Sequence, residues 1–267
     1  MPPSPPSRRS GRRSGELART VRFFLLLAVG VYLLRALVVQ PFYIPSASMQ
    51  PGLLAGDYLF VAKWPYGYGR ASFPGVPRGE GRFRGRMPAR GDVVVFKHPV
   101  TGIDMIKRVI GLPGDRVGVR AGAVELNGAP VPRDRIADWP LAVTPNSPCR
   151  VQGERVREER DVCRYPRYRE TARDGRTWMV LDQGATLADD RDAITVPPGQ
   201  LLVMGDNRDD SLDGRVAREA GGVGLLPADD LVGRALLIFF STNGSAEWLK
   251  PWTWVSAARP ERIGLTL

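Results

Sequence analysis

FFLLLAVGVYLLRALVV, residues 23–39, is a seventeen-residue apolar run broken only by Arg35, and PFYIPSASMQP, residues 41–51, follows it almost at once. As a helix the run rises roughly 25 Å at 1.5 Å per residue, slightly short of a hydrocarbon core of about 30 Å. Arg22 and Arg35 can snorkel from its two ends, so a transmembrane helix at 23–39 is the expected reading. The preceding residues 1–22 hold six arginines and one glutamate among Pro, Ser and Gly. That composition reads as a basic, disordered cytoplasmic tail, and its charge places everything after residue 40 on the outer face. The competing reading is a cleaved signal peptide, with Ser46-Ala47-Ser48 imitating a small-x-small cleavage site. The length of the run, its internal arginine and Pro45 beside the supposed site speak against it. No second run of comparable length occurs, which predicts a single-pass anchor carrying a soluble body.

The body reads as mostly β. GDYLFVAKW (56–64), GDVVVFKHP (91–99), DMIKRVIGLPGDRV (104–117) and GAVELNGAPV (122–131) are rich in β-branched and aromatic residues, the last with an Asn-Gly hairpin signal. RTWMVL (176–181), GQLLVMGDN (199–207) and LVGRALLIFF (231–240) continue the style. The expected fold is therefore one N-terminal transmembrane helix followed by an all-β body. Residues 40–115 and 199–258 are assigned to a principal β domain, and the polar stretch 116–198 to a smaller inserted β subdomain. Residues 259–267 are left as a C-terminal tail. The Gly/Pro/Arg-rich stretch 66–91 reads either as a flexible surface loop or as a loop touching the membrane interface.

Net charge is +10, which fits anionic lipid better than nucleic acid. The densest charge lies beside the apolar run, and stacking aromatics are not interleaved with the body's arginines. Two cysteines, Cys149 and Cys163, and one histidine, His98, are present. Such scarcity rules out a zinc site of the usual Cys/His kind, and no metal or cofactor is expected. Outside the cytoplasm, Cys149 and Cys163 are disulfide candidates.

Three stretches can carry chemistry. In DMIKRVI, a two-residue period puts Met105, Lys107 and Val109 on one face. Although a lone lysine is usually a solvated charge, apolar neighbours would lower its pKa and let it serve as a base. MGDNRDDSLDGR (204–215) surrounds Ser211 with carboxylates and arginines. It is either a solvated turn or a salt-bridged scaffold that fixes Ser211 against Lys107. Ser46 and Ser48 are either turn residues or hold a nucleophile. His98, at a strand end beside Pro99, is a poor base for a serine, whereas a Ser-Lys pair needs no histidine.

Taken together, PSASMQPGLLAGDYLFVAK (45–63), RGDVVVFKHP (90–99), DMIKRVIGLPGD (104–115) and GDNRDDSLDGR (205–215) resemble, in order and spacing, the bacterial type I signal peptidases. These are membrane-bound serine endopeptidases that use a Ser-Lys dyad. The resemblance implies Ser48 as nucleophile, Lys107 as general base, Ser46 as an oxyanion donor and Ser211 as the residue orienting the lysine. It further implies supporting ion pairs Asp213–Arg215 and Asp206–Arg108, with Ile44 and Ile106 lining pockets for small substrate side chains at −1 and −3. Precursor proteins bearing signal peptides would be the substrates, at the outer face of the inner membrane, with membrane lipid and the secretion translocon close by. This chain departs from the best-known members in having one membrane helix rather than two, and Ala47 where many have glycine. The rival readings are a tethered, non-catalytic basic β module and a self-cleaving Ser-Lys repressor. The latter needs a cytoplasmic body and a DNA-binding domain, neither of which is evident.

Overall fold

The computed structural model describes residues 10–77, 79–247 and 249–267, with side chains from Glu16 onward. It begins with a helix, Ser10–Leu33, continued by one wider turn over Leu34–Val38. The segment Glu16–Val38 is long and apolar enough to cross a membrane, with a mean hydropathy of 2.1, and it lies almost entirely exposed. Two expectations are corrected here. Residues 10–22, expected to be disordered, belong to this helix, while residues 1–9 lie outside the described residues. Glu16, Leu17, Ala18 and Arg19 are good helix formers, and the apolar run behind them supplies the costly nucleus. The helical segment also stops at Val38, because Val39 and Pro41 favour extended backbone.

Among the described residues, twelve longer strands follow. They are β1 (Val39–Tyr43), β2 (Asp57–Ala62), β3 (Val93–Lys97), β4 (Asp104–Gly111), β5 (Arg116–Arg120) and β6 (Ala123–Leu126). Then come β7 (Arg133–Ala142), β8 (Val162–Thr171), β9 (Thr177–Leu181), β10 (Arg191–Thr195), β11 (Gln200–Met204) and β12 (Leu231–Ser241). The principal sheet runs β1-β2-β12-β3-β4-β11 and ends on the short strand Leu226–Pro227. Its pairings are all antiparallel.

The VVVF run explains why β3 is central. Val93 and Val95 enter one apolar cluster with Ile44, Met49 and Ile106, while Val94 and Phe96 enter another with Val109 and Val203. All four are at most 2% exposed, as an interior strand covered on both faces requires.

Residues 116–198 do form additional sheets, one of β7, β8 and β9 with the short strand Arg157–Glu159, the other around β10, β5 and β6. The β5–β6 hairpin continues into a tight turn at Asn127-Gly128, both with positive φ (55° and 80°), as the sequence signal predicts. These sheets do not enclose a separate core. Val117, Val124, Trp178 and Val180 pack in one cluster with Ile110, Leu202 and Met204 of the principal sheet. Cys149 and Cys163 are joined in a disulfide, and Cys163 is buried with Leu141, Tyr165, Leu181 and Leu54.

The C-terminal residues are not a free tail. Gly264 N–H donates to Ile238 O (2.8 Å) and Leu267 N–H to Leu236 O (2.9 Å), along the outer half of β12. The Arg262 guanidinium forks onto Asp57 at 2.9 and 2.6 Å. Asp57 is fully buried, so its charge demands such a partner. The 66–91 stretch is likewise tied down. Arg82 donates to the carbonyls of Tyr66, Gly67 and Leu231, and the Tyr68 hydroxyl donates to Leu37 O at the foot of the apolar helix (2.8 Å).

Candidate active site

The segment between β1 and β2 carries Ser48. Backbone pairs Ile44 N–Asp57 O and Gly56 N–Ile44 O (both 2.9 Å) close it at its base. Buried Asp57 pins its far side by accepting from Leu54 N–H (2.7 Å) and from the Ser241 hydroxyl (2.6 Å). Met49 and Leu53, each 1% exposed, sink into the core, and turns at Gln50 N–Ala47 O and Leu53 N–Met49 O hold Ser48 at the edge of that core. Ser48 is 8% exposed; Ser46, which is open to solvent, places its Oγ 3.3 Å from Ser48 Oγ.

Lys107 projects from β4, opposite Val94 of β3 and two residues from fully buried Val109. It is 3% exposed, and its Nζ lies 2.6 Å from Ser48 Oγ. Burial strips water from the ammonium and pushes the Lys107 pKa down to about 8, against the opposing pull of Asp213, Asp206 and Asp210. An amine with that pKa is still mainly protonated at neutral pH, but its neutral fraction, about a tenth at pH 7, far exceeds that of an ordinary lysine, and a neutral amine can take the hydroxyl proton.

The loop after β11 closes the site from behind. Asp213 is fully buried and accepts from Gly205 N–H (2.8 Å) and from both Nε and Nη2 of Arg215 (3.0 Å each). Those donors hold its carboxyl below the usual carboxylate range although burial alone would raise it. Asp206 is gripped by Arg108 in the same forked manner, at 2.7 and 2.6 Å. Both expected ion pairs are thus in place. The family model described as "Signal peptidase, peptidase S26" matches residues 17–240, taking in the helix, Ser48, Lys107 and this loop. The chain belongs to the signal peptidase family.

Two relatives, both signal peptidase I, are from Rickettsia akari (strain Hartford) and Rickettsia typhi (strain ATCC VR-144 / Wilmington). They are 31% and 32% identical, and each match covers 86% of either chain. A crystal structure of a signal peptidase I from Enterococcus faecalis V583 overlays with a TM-score of 0.30 at 22% identity, covering 56% of this chain and 97% of that one. This signal peptidase is a serine peptidase.

Not every expected contact is made. Ser211 Oγ is buried and has no hydrogen-bond partner, so the expected Ser211–Lys107 bond is absent. Ser211 instead abuts Gly205: a methyl group there would fall 2.3 Å from Ser211 Oγ and 2.6 Å from Ser48 O, so only glycine fits between them. Ile44 and Ile106, 2% and 8% exposed, belong to the core cluster that also holds Met49 and Leu53. His98 caps a turn, its Nδ1 accepting from Val100 and Thr101 N–H while Nε2 bonds Gly222 O. Among the described residues no three His, Cys, Asp or Glu side chains are grouped to hold a metal.

Several supporting residues were not singled out from the sequence. Asn207 N–H donates to Ser48 O (3.1 Å) and its Nδ2 to Ala47 O (3.3 Å), clasping the serine segment. Gln183 Nε2 in turn holds Asn207 Oδ1 at 3.0 Å. Asn207 stood inside the acidic block and was legible there as a turn residue. Gln183 carried no local signal.

Proposed function

We propose that this signal peptidase is a membrane-anchored endopeptidase that removes signal peptides by a Ser48–Lys107 dyad. The observation that carries the reading is the 2.6 Å approach of Lys107 Nζ to Ser48 Oγ in a site where the lysine is stripped of water. Neutral Lys107 takes the Ser48 hydroxyl proton as Oγ attacks the scissile carbonyl carbon. The oxyanion that forms is met by the Ser48 backbone N–H and the Ser46 hydroxyl. The C–N bond then breaks, and Lys107 returns its proton to the departing amine. A water molecule then gives a proton to Lys107 as its oxygen attacks the ester carbonyl; the C–Oγ bond breaks, Lys107 returns the proton to Ser48 Oγ, and the signal peptide leaves as a carboxylic acid that ionises in water.

Asp213–Arg215 and Asp206–Arg108 keep the surrounding loop in register. Ser211, whose hydroxyl has no partner, fills the space against Gly205. Family resemblance supplies the preference for small residues at −1 and −3, next to Ile44 and Ile106. The helix Ser10–Leu33 and its continuation anchor the enzyme where precursors emerge, close to lipid and to the secretion translocon. Arginines preceding the apolar run put the N-terminus in the cytoplasm and the body outside. Tyr68, tied to Leu37 O, favours a 66–91 segment lying at the lipid interface over a flexible loop.

The decisive experiment incubates the detergent-solubilised full chain with a precursor carrying an Ala-x-Ala site. A single cut after the second alanine, read by mass spectrometry, is the expected result; scattered or absent cleavage overturns the proposal. Three outcomes should accompany it. With a base of pKa about 8, kcat/KM should rise with pH and level off above that value, because only the deprotonated lysine works. A limb centred near 10.4, the value of an ordinary lysine, would mean that Lys107 is not the base. Ser46→Ala should reduce kcat roughly 10²-fold with little change in KM, since it removes one oxyanion donor. Protease added to spheroplasts should digest the body and spare the N-terminus; full protection of the body would reverse the orientation.

A further inference from the structure

Three buried ion pairs surround the loop after β11, and only two of them belong to the expected machinery. The third joins Arg208, on that loop, to Glu170 of β8 in the inserted sheets, with side chains 2% and 1% exposed. Trp178 of β9 secures the carboxylate, its Nε1–H donating to the same Glu170 Oε2 at 2.9 Å. Arg208 then works inward. Its Nε donates to Gly205 O at 3.1 Å, and its own backbone is held on both sides, by N–H donation to Leu181 O and by an Arg215 guanidinium hydrogen bond to its carbonyl. Gly205 is the residue wedged between Ser211 and the Ser48 carbonyl, with no room for a methyl group. The neighbouring Asn207 N–H holds that same Ser48 carbonyl. Trp178 also lies under the Arg108 guanidinium, 5.6 Å from the ring centre, and Arg108 is the partner of Asp206.

We infer that Glu170, Trp178 and Arg208 are positioning residues through which the inserted sheets set the backbone at Gly205 and Asn207, and with it the Ser48–Lys107 separation. The inference rests on the dyad reading above. A buried guanidinium cannot rest without a countercharge, so Arg208 follows Glu170. Glu170 is fixed by an indole N–H on the next strand. A displacement of β8 or β9 is thereby passed to the carbonyl of Gly205, one contact from the nucleophile. None of the three residues need touch substrate. They bear on the chemical step, where a misplacement of about 1 Å costs on the order of 10² in rate, and leave binding alone.

The test compares Glu170→Gln, Trp178→Phe and Ser48→Ala in the full chain in detergent, with an Ala-x-Ala precursor as substrate and rates referred to folded protein by thermal melting. Glu170→Gln should lower kcat about 10- to 100-fold and leave KM within about twofold, since only alignment is lost. Trp178→Phe keeps the ring under Arg108 and removes only the N–H. It should give a smaller kcat loss, about 3- to 10-fold, with the melting temperature retained. If Glu170→Gln does not fold, Trp178→Phe decides alone. Unchanged kcat per folded molecule, or a rise confined to KM, overturns the positioning role. Should Ser48→Ala still cleave, the dyad reading itself has failed; an inactive Ser48→Ala beside a fully active Trp178→Phe rejects the positioning inference only.

Discussion

Ser48→Ala is expected to lower precursor turnover roughly 10⁴-fold or more while leaving the fold intact, because a nucleophile has no substitute in an acyl-enzyme mechanism. The oxygen removed is in contact with Lys107 Nζ at 2.6 Å and with Ser46 Oγ at 3.3 Å, and neither contact holds the core together. The segment stays anchored by Asp57 and by Met49 and Leu53 beneath it. Lys107→Met, which keeps the length and apolar fit of the stem, should be as inactive. Combining the two should cost little beyond either alone, since the pair acts as a unit. Cleavage by Ser48→Ala within tenfold of the parent, at equal protein and in detergent, would remove the serine from the mechanism.

Asp213→Ala should be the most damaging change outside the dyad. It leaves the Arg215 guanidinium buried without a countercharge and strips the acceptor from Gly205 N–H, so a loss of about 3–5 kcal/mol in unfolding free energy is expected. Denaturant unfolding in detergent measures it, and a loss below about 1 kcal/mol would show that water or another residue takes over. The gentler Asp213→Asn carries a second readout. Asp213 is the largest influence opposing the downward push of burial on the Lys107 pKa. Removing its charge favours the neutral amine, so the rise of kcat/KM with pH should move to lower pH; movement to higher pH would contradict the assigned electrostatics.

The reach of local pattern is clearest at Lys107. Alternation along β4 places it between Met105 and Val109, and that alone gave the direction of its pKa shift. Residues 10–22 show the opposite case. Their composition favours disorder, yet an apolar helix directly downstream carries them into helix as far back as Ser10. The 259–267 segment offers no periodicity to read. Its docking is forced from elsewhere, by the buried charge of Asp57, which takes Arg262 as its partner. Ser211 shows that identity and contact are separable: the residue sits in the expected loop, but its hydroxyl faces Gly205 and forms no hydrogen bond.

By itself the chain's order of residues determined the apolar helix, the strand character of the body, and the set of serines, lysine and charged side chains that stand as candidates for chemistry. Each of those depends on side-chain type and on spacing over a few residues, and such spacing is fixed before any folding. Only the tertiary structure decided that Ser48 and Lys107, 59 positions apart, come within 2.6 Å. It alone decided that the inserted sheets share a core with the principal sheet and reach the loop after β11 through Glu170 and Arg208, 38 positions apart. Contacts of that kind depend on which strands become neighbours and in what register, a choice made by burial and charge pairing summed over the whole molecule.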